Sequence, residues 1–316
     1  MRASIYDESA MAFFLGVDAG GTKTTAALAE DDRIVARASG GSIKVMRVAP
    51  EKAEEHLRSI LADLTSQTGV QPAQLTSACV GIAGNGVGAV NGWVWKTLGP
   101  LLQGELDVCC DTDIALDAAF PGEAGVLVIA GTGSNILGRT RSGQLVNVGG
   151  WGPMLGDEGS GHWIGLRAVR AALRAHDRGE PTPLLSAIAA HWKFDVLDQL
   201  VEIAHAHPGP DFAALTRLVV EQAEAGDELS QSVLRDAGKA LAEDAALALD
   251  KMLALDPEAP SRLAFVGSVL ERIEQVRTVM TDELLWVRPG VQVLPHAVDP
   301  VDGALWRARR LASEPA

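Results

Sequence analysis

The chain is poor in cysteine, with three in 316 residues: Cys79 and the adjacent pair Cys109 and Cys110. None forms a C-x-x-C pair, which speaks against a zinc site or an iron–sulfur cluster held within one chain. Free thiols in apolar surroundings suit a reducing cytoplasm. No apolar stretch is long enough to cross a membrane. The run "MAFFLGV" is too short and wrongly flanked for a signal peptide and reads as a strand. Basic charge is also in deficit: 27 Lys and Arg against 41 Asp and Glu leave a net charge of −14. That balance turns away nucleic acid and anionic membranes. It still admits an anionic nucleotide held by backbone N–H groups and a divalent cation. Low-complexity tracts are absent, and the patternless first ten residues, "MRASIYDESA", read as a frayed extension.

An apolar fraction of 47% and a charged fraction of 22% are those of a folded protein, and the length allows two domains. The stretch "GVDAGGTKT", Gly16 to Thr24, has the glycine spacing of a phosphate-binding P-loop, but Thr22-Lys23 follow where that motif needs Lys-Ser/Thr. The residues beyond it read "TTAALAE", a Gly- and Asp-punctuated β meander rather than the helix that a P-loop requires. The glycines therefore form a hairpin tip. "GVLVIAGTGSNILGRT" repeats the pattern about 110 residues later, which suggests two related halves facing a cleft. Between the hairpins, residues 50–68 predict an amphipathic helix, residues 89–102 another, and "ELDVCCDTDIALDAAF" a strand running into a helix. Residues 160–255 are Ala- and Leu-rich with helical periodicity. "SRLAFVGSVL" and "GVQVLPHAVDPVDGALWRARR" each return from strand to helix.

The first hairpin offers Asp18, Gly20, Gly21, Thr22 and Lys23. A carboxylate at a strand end beside a Gly turn can hold Mg²⁺ while the turn's N–H groups take phosphate oxygens, or the whole can be an ordinary turn. The second offers Gly131, Thr132, Gly133, Ser134 and Asn135, small residues with hydroxyl donors. Asp111 and Asp113 stand where a strand becomes a helix, and either can be a plain cap or a general base. "GGWGPMLGDEGSGHWIG", Gly149 to Gly165, packs seven glycines, two tryptophans and Asp157-Glu158 into seventeen positions. Ordering so many glycines costs entropy, and a carboxylate pair resists burial. The segment suits a sugar-binding loop, with Gly150, Trp151, Asp157, Glu158 and the nearby Asn135 as substrate-binding candidates; a surface lid is the other reading. Gly267 and Ser268, at a strand end before a helix, can pass under an adenosine or simply pack. His162 lies in the Gly-rich loop, and Met46 reads as core.

Taken in order, "GVDAGGTKT", "IAGTGSN", "GGWGPMLGDEGSGHWIG" and "FVGSVL" resemble the N-acetylglucosamine kinase group of the BadF/BadG/BcrA/BcrD-type ATPases, from about Phe13 to about Arg310. The resemblance implies an α/β protein of two ribonuclease-H-like, actin-like ATPase domains with a cleft between them. Their division would fall near 117/118, with a closing helix at about 299–311 packing back on the first. It implies ATP and Mg²⁺, with Asp18 at the metal and the Gly20–Lys23 and Gly131–Ser134 turns on phosphate. Gly267 and Ser268 would take the adenosine, Asp111 would be the catalytic base with Asp113 as fallback, and Asp157 would bind sugar. The implied reaction moves the γ-phosphoryl group to the 6-hydroxyl of an amino sugar, N-acetylglucosamine first, with glucosamine or N-acetylmuramic acid as alternatives. A homodimer is a family expectation. One departure stands out: where the group often carries an Asn after its Gly-x-Ser/Thr stretch, "GGSIK" has Lys44. The rival readings are a partner-activating ATPase, whose bridging cysteine pattern is missing, a repressor, whose N-terminal DNA-binding segment is missing, and a sugar sensor.

Overall fold

The computed structural model describes residues 11–84 and 88–313, so the expected frayed extension lies outside the described residues. The chain divides into two compact units: one runs to Gly122 and resumes at Val298, and the other is Glu123–Ala297.

In the first unit, β1 (Phe13–Ala19), β2 (Lys23–Glu30) and β3 (Arg33–Gly41) form the expected antiparallel meander, and α1 (Pro50–Thr68) follows. Pro50 starts α1 where its missing N–H is not needed, and Gly69 ends it in the left-handed region at φ 79°. Between them Ala53, Leu57, Ile60, Leu61 and Leu64 recur at helical spacing and are buried. Then come β4 (Ser77–Ile82), α2 (Gly88–Leu98), β5 (Glu105–Cys109) and α3 (Asp111–Ala119). The helix expected over 89–102 thus stops at Leu98, where Gly99-Pro100 tighten the chain into a short 3₁₀ turn. The sheet order is β3-β2-β1-β4-β5, with β4 and β5 parallel to β1.

The second unit repeats the plan. β6 (Gly125–Ala130), β7 (Ser134–Arg139) and β8 (Leu145–Gly149) are the meander, followed by α4 (Gly161–Asp177), α5 (Pro183–Trp192), α6 (Leu197–Ala204), α7 (Thr216–Glu224) and the long α8 (Glu228–Leu255). β9 (Arg262–Val266), α9 (Ser268–Arg272), α10 (Glu274–Val287) and β10 (Gln292–Val293) close it. Its order, β10-β9-β6-β7-β8, is that of the first sheet with β6 in the place of β1. This is the strand order of a ribonuclease-H-like fold, present twice.

The chain then returns to the first unit as α11 (Pro300–Ser313). Val301, Ala304, Leu305 and Ala308 on one face of it bury against Phe14, Ala27, Cys79 and Ile114. Two glycines make the seat: a Cβ on Gly16 would lie 2.8 Å from Leu305 Cγ, and one on Gly303 would meet the Ile114 carbonyl. Gly16, the first residue of the opening motif, is thus a helix-packing position and not part of the turn. Met46, expected in the core, is 62% exposed because it rides the turn after β3. Among the described residues no helix is long and apolar enough to cross a membrane.

Candidate functional site

Both hairpin tips are built so that carbonyls are tied down and N–H groups are left free. At the first, the Ser42 hydroxyl donates to the Gly20 carbonyl at 3.0 Å, and the Ala83 N–H donates to the Ala19 carbonyl. At the second, the first turn of α4 does the tying: the Gly161 and His162 N–H groups donate to the Gly131 and Thr132 carbonyls at 2.8 and 3.1 Å. Among the described residues the N–H groups of Gly20, Gly21 and Thr22 find no acceptor, and neither do those of Thr132 and Gly133. Clusters of free N–H groups at a turn form an anion-binding nest.

Around the first tip the side chains are charged. Asp18, at the end of β1, is pushed up to about 7 by burial, by the charges of Asp111 and Asp299, and against the pull of Lys23. Asp111 opens α3; burial raises its pKa as well, while the Thr112 N–H and the charge of Lys44 draw it back down. The neighbouring Asp113 is spoken for: its carboxylate accepts from the Cys110 N–H at 3.1 Å, closing the helix N-terminus. The Asp111 carboxylate takes the adjacent Thr112 N–H, at 3.0 Å, and its own backbone N–H. Of the two aspartates at this strand–helix junction, Asp113 is the cap, and Asp111 is the one with lone pairs to offer.

Two residues on the turn after β3 join this cluster. A Cβ on Gly84 would lie 3.6 Å from Lys44 Nζ, and one on Gly21 would lie 2.7 Å from an Arg47 guanidinium nitrogen. Neither cation makes an ion pair within 4 Å among the described residues. Asp299, at the start of α11, pairs with Arg37 instead. Sequence reading missed Arg47 and Asp299. Arg47 sits in a loop with no periodicity, and Asp299 is brought in by a helix that folds back from 280 residues away in sequence.

The second tip is closed by the Gly-rich segment. The Ser134 hydroxyl donates to the Glu158 carbonyl at 2.8 Å, so its proton is committed to the loop rather than free for a ligand. Asp157 is buried, holds a left-handed φ of 59° that is costly for any residue but Gly, and accepts from the Gly152 N–H at 3.0 Å. Its other oxygen presses on Gly133, where a Cβ would come within 2.6 Å. Burial and Glu158 raise its pKa, and His162 lowers it. Asp157 therefore braces the loop against the hairpin. Glu158 faces Asp244 of α8, which is pushed up to about 6 by burial and by the charges of Glu158 and Glu243.

Asn135 contributes a different sign of function. Its Oδ1 is buried with no hydrogen-bond partner and lies against Gly150. A buried orphan acceptor costs stability and asks for an external donor. Trp151, by contrast, is 73% exposed, with its side chain beside Gly156. Trp163, the other indole of the segment, is a packing residue of α4 with Arg167 stacked over it.

Beside the second tip a cavity of about 490 Å³ opens between α7 and α9. Gly131, Thr132 and Ser268 form its inner end; Ala213, Thr216 and Arg272 are among its walls. Gly267, at φ 105°, lets β9 turn sharply beneath it, because a Cβ there would strike Ala130. The wall from residues 213 to 221 had no signature in the sequence beyond helical periodicity.

Comparison with known proteins gives a consistent answer. The model of the BadF/BadG/BcrA/BcrD ATPase family matches residues 15–306. An N-acetyl-D-glucosamine kinase from Dictyostelium discoideum is 30% identical over 92% of this chain and 96% of its own. An N-acetylmuramic acid/N-acetylglucosamine kinase from Clostridium acetobutylicum is 29% identical over 73% of this chain and 77% of its own. The crystal structure of a candidate N-acetylglucosamine kinase from Chromobacterium violaceum superposes with a TM-score of 0.72 at 27% identity, covering 96% of this chain and 99% of the other.

Proposed function

The chain belongs to the BadF/BadG/BcrA/BcrD ATPase family, and on that premise we propose that it is an ATP-dependent kinase phosphorylating the 6-hydroxyl of an amino sugar, N-acetylglucosamine first. The observation that carries the residue assignment is the division of labour at α3: Asp113 caps the helix while Asp111, half-buried among charges, keeps its carboxylate free.

Phosphoryl transfer asks the protein for positioning and charge stabilisation more than for covalent chemistry. In this reading the free N–H groups of Gly20, Gly21 and Thr22, with Lys23, receive phosphate oxygens in one unit, and those of Thr132 and Gly133 in the other. The cavity beside Ser268 and Gly267 takes the nucleoside. Arg47, whose guanidinium lies on the Gly21 turn, adds positive charge where the transferred group develops negative charge. Asp111 accepts the proton of the sugar hydroxyl and orients its oxygen for in-line attack. The Asn135 Oδ1 acceptor, Gly150, Asp157 and Glu158 present hydrogen-bonding groups to the sugar ring, and the exposed Trp151 offers it an apolar face.

Asp18 fits a hard divalent cation. A carboxylate lifted to about 7 by burial and by two like charges is one whose ionised form wants a positive partner, and magnesium takes one or two carboxylates plus phosphate oxygens and water. When bound there, Mg²⁺ supplies neutralisation of the nucleotide's phosphate charge.

The test is ADP release from Mg-ATP by the purified protein with N-acetylglucosamine, glucosamine, glucose, N-acetylmuramic acid or no sugar. Sugar-dependent turnover is expected, highest with N-acetylglucosamine. Equal ADP release across the panel would sink the reading and leave a partner-activating ATPase or a sugar sensor.

A further inference from the structure

Three cysteines without a C-x-x-C spacing argue against a metal site in the sequence, but the first sheet rearranges them. β4 and β5 are parallel neighbours in a register that sets Cys79 beside Asp107 and Gly81 beside Cys109. Cys79, Asp107 and Cys109 thus project from one face of the sheet, since residues two apart in a strand share a face. The Cys79 and Cys109 sulfurs are 3.8 Å apart, and Cys79 Sγ is 3.7 Å from Asp107 Oδ2. All three ligand atoms lie within 4.8 Å of one another, the one such group of three among the described residues.

Those separations have a meaning beyond van der Waals contact. Zinc bonds of about 2.3 Å to sulfur and about 2.0 Å to oxygen, at tetrahedral angles, place two sulfurs about 3.8 Å apart and a sulfur and an oxygen about 3.5 Å apart. Two of the three edges, sulfur to sulfur at 3.8 Å and Cys79 sulfur to carboxylate oxygen at 3.7 Å, are close to those of a tetrahedron, and the third is no longer than 4.8 Å. The two thiols are buried, and the Asp107 side chain is one-third exposed, so the group reaches solvent on the carboxylate's side. Arg307 anchors the carboxylate: its guanidinium lies 3.4 Å from Asp107 Oδ2, the oxygen that also faces Cys79, and 2.6 Å from the buried Asp117. Such outer hydrogen bonds orient metal-ligating carboxylates. Charge balance is also met. Exchanging two thiol protons for one divalent cation leaves the net charge of this pocket unchanged, so the Arg307 and Asp117 pairing need not be disturbed.

We propose that Cys79, Cys109 and Asp107 form a binding site for one Zn²⁺ per chain, on the face of the first sheet packed under α11. Binding forms two Zn–S bonds and one Zn–O bond and releases two protons, one from each thiol; no oxidant or reductant is involved. The proposal is independent of the kinase reading.

The experiment uses full-length protein, purified with reductant and stripped by chelator. It is titrated with Cd²⁺, whose thiolate complexes absorb in the ultraviolet, and with Zn²⁺ against a chromogenic chelator. One metal per chain, a Kd for Zn²⁺ below about 1 µM and release of about two protons near pH 7 are expected. Cys110→Ser is expected to keep the cadmium band, Cys109→Ser to lose it, and Asp107→Asn to weaken it, with circular dichroism checking that each variant is folded. Absence of the band in wild-type protein overturns the site even if a cysteine variant fails to fold. A band that survives Cys109→Ser, or a Cys79–Cys109 disulfide in protein isolated without reductant, overturns it as well.

Discussion

The two units share a strand order but treat their hairpin tips in opposite ways. At the first tip the groups around the turn are charged and largely uncommitted: Asp18 and Asp111 repel each other, and Lys44 and Arg47 find no ion-pair partner among the described residues. At the second, the hydroxyl and the buried carboxylate are spent on structure, Ser134 on the Glu158 carbonyl and Asp157 on the Gly152 N–H, and only the Asn135 Oδ1 and the turn's N–H groups stay open. One copy of the fold is left with like charges crowded at its tip, and the other has its tip tied to the Gly-rich segment. A duplicated backbone therefore does not imply duplicated chemistry.

The sharpest way to break this contrast is at α3. Asp111→Asn should lower sugar-dependent kcat by about 10²- to 10⁴-fold, the range of a lost general base, with nucleotide affinity measured by calorimetry little changed. Asp113→Asn, the same change two residues further along α3, should instead cost only helix capping, about 1 kcal/mol of stability, and leave kcat within a few-fold. If the two variants behaved in the reverse order, the base and cap would have to be exchanged.

Next in size is the metal. With Asp18 near 7, protons compete for the carboxylate that the metal needs, so the Mg²⁺ concentration giving half-maximal turnover should rise about tenfold from pH 8 to pH 6. No such rise would mean that Asp18 does not hold the cation. Lys44→Met should move the acid limb of the kcat/KM profile to higher pH, because Lys44 is one of the groups lowering the Asp111 pKa. A limb that stays in place would separate Lys44 from Asp111 and leave it to the sugar.

The smallest effects are on stability, and their signs differ between the units. A carboxylate whose folded pKa exceeds its unfolded value binds more protons in the native state, so its burial weakens the fold as pH rises from about 4 to about 7. Asp18→Asn should accordingly raise the metal-free Tm at pH 8 by about 2–6 °C and change it little below pH 4. Ser134→Ala in the second unit should lower Tm by about 2–4 °C at either pH, the loss of one half-buried hydrogen bond to the Glu158 carbonyl.

Much of this was legible in the sequence, and the limits have physical causes. The two hairpins and α1 announced themselves because period-two and period-3.6 patterns are local. Glycine placement located both hairpin tips. The choice between Asp111 and Asp113 was not legible from residue type, since either can cap a helix; only the direction of the carboxylates separates them. Arg47 and the cavity wall at residues 213–221 carry no spacing rule, and Met46, apolar in a polar turn, pointed the wrong way. Cys79 and Cys109, 30 residues apart in sequence, became neighbours only through strand pairing.

The return of the chain as α11 has a consequence in time. The core of the first unit includes Val301, Ala304, Leu305 and Ala308, whereas the second unit is complete by Ala297. During synthesis the second unit has all its strands and helices before the first can close over Gly16, so the cavity beside Gly131 should form on the ribosome ahead of the cluster of Asp18 and Asp111. A chain stalled or truncated before α11 would then be a folded second unit joined to an unfinished first.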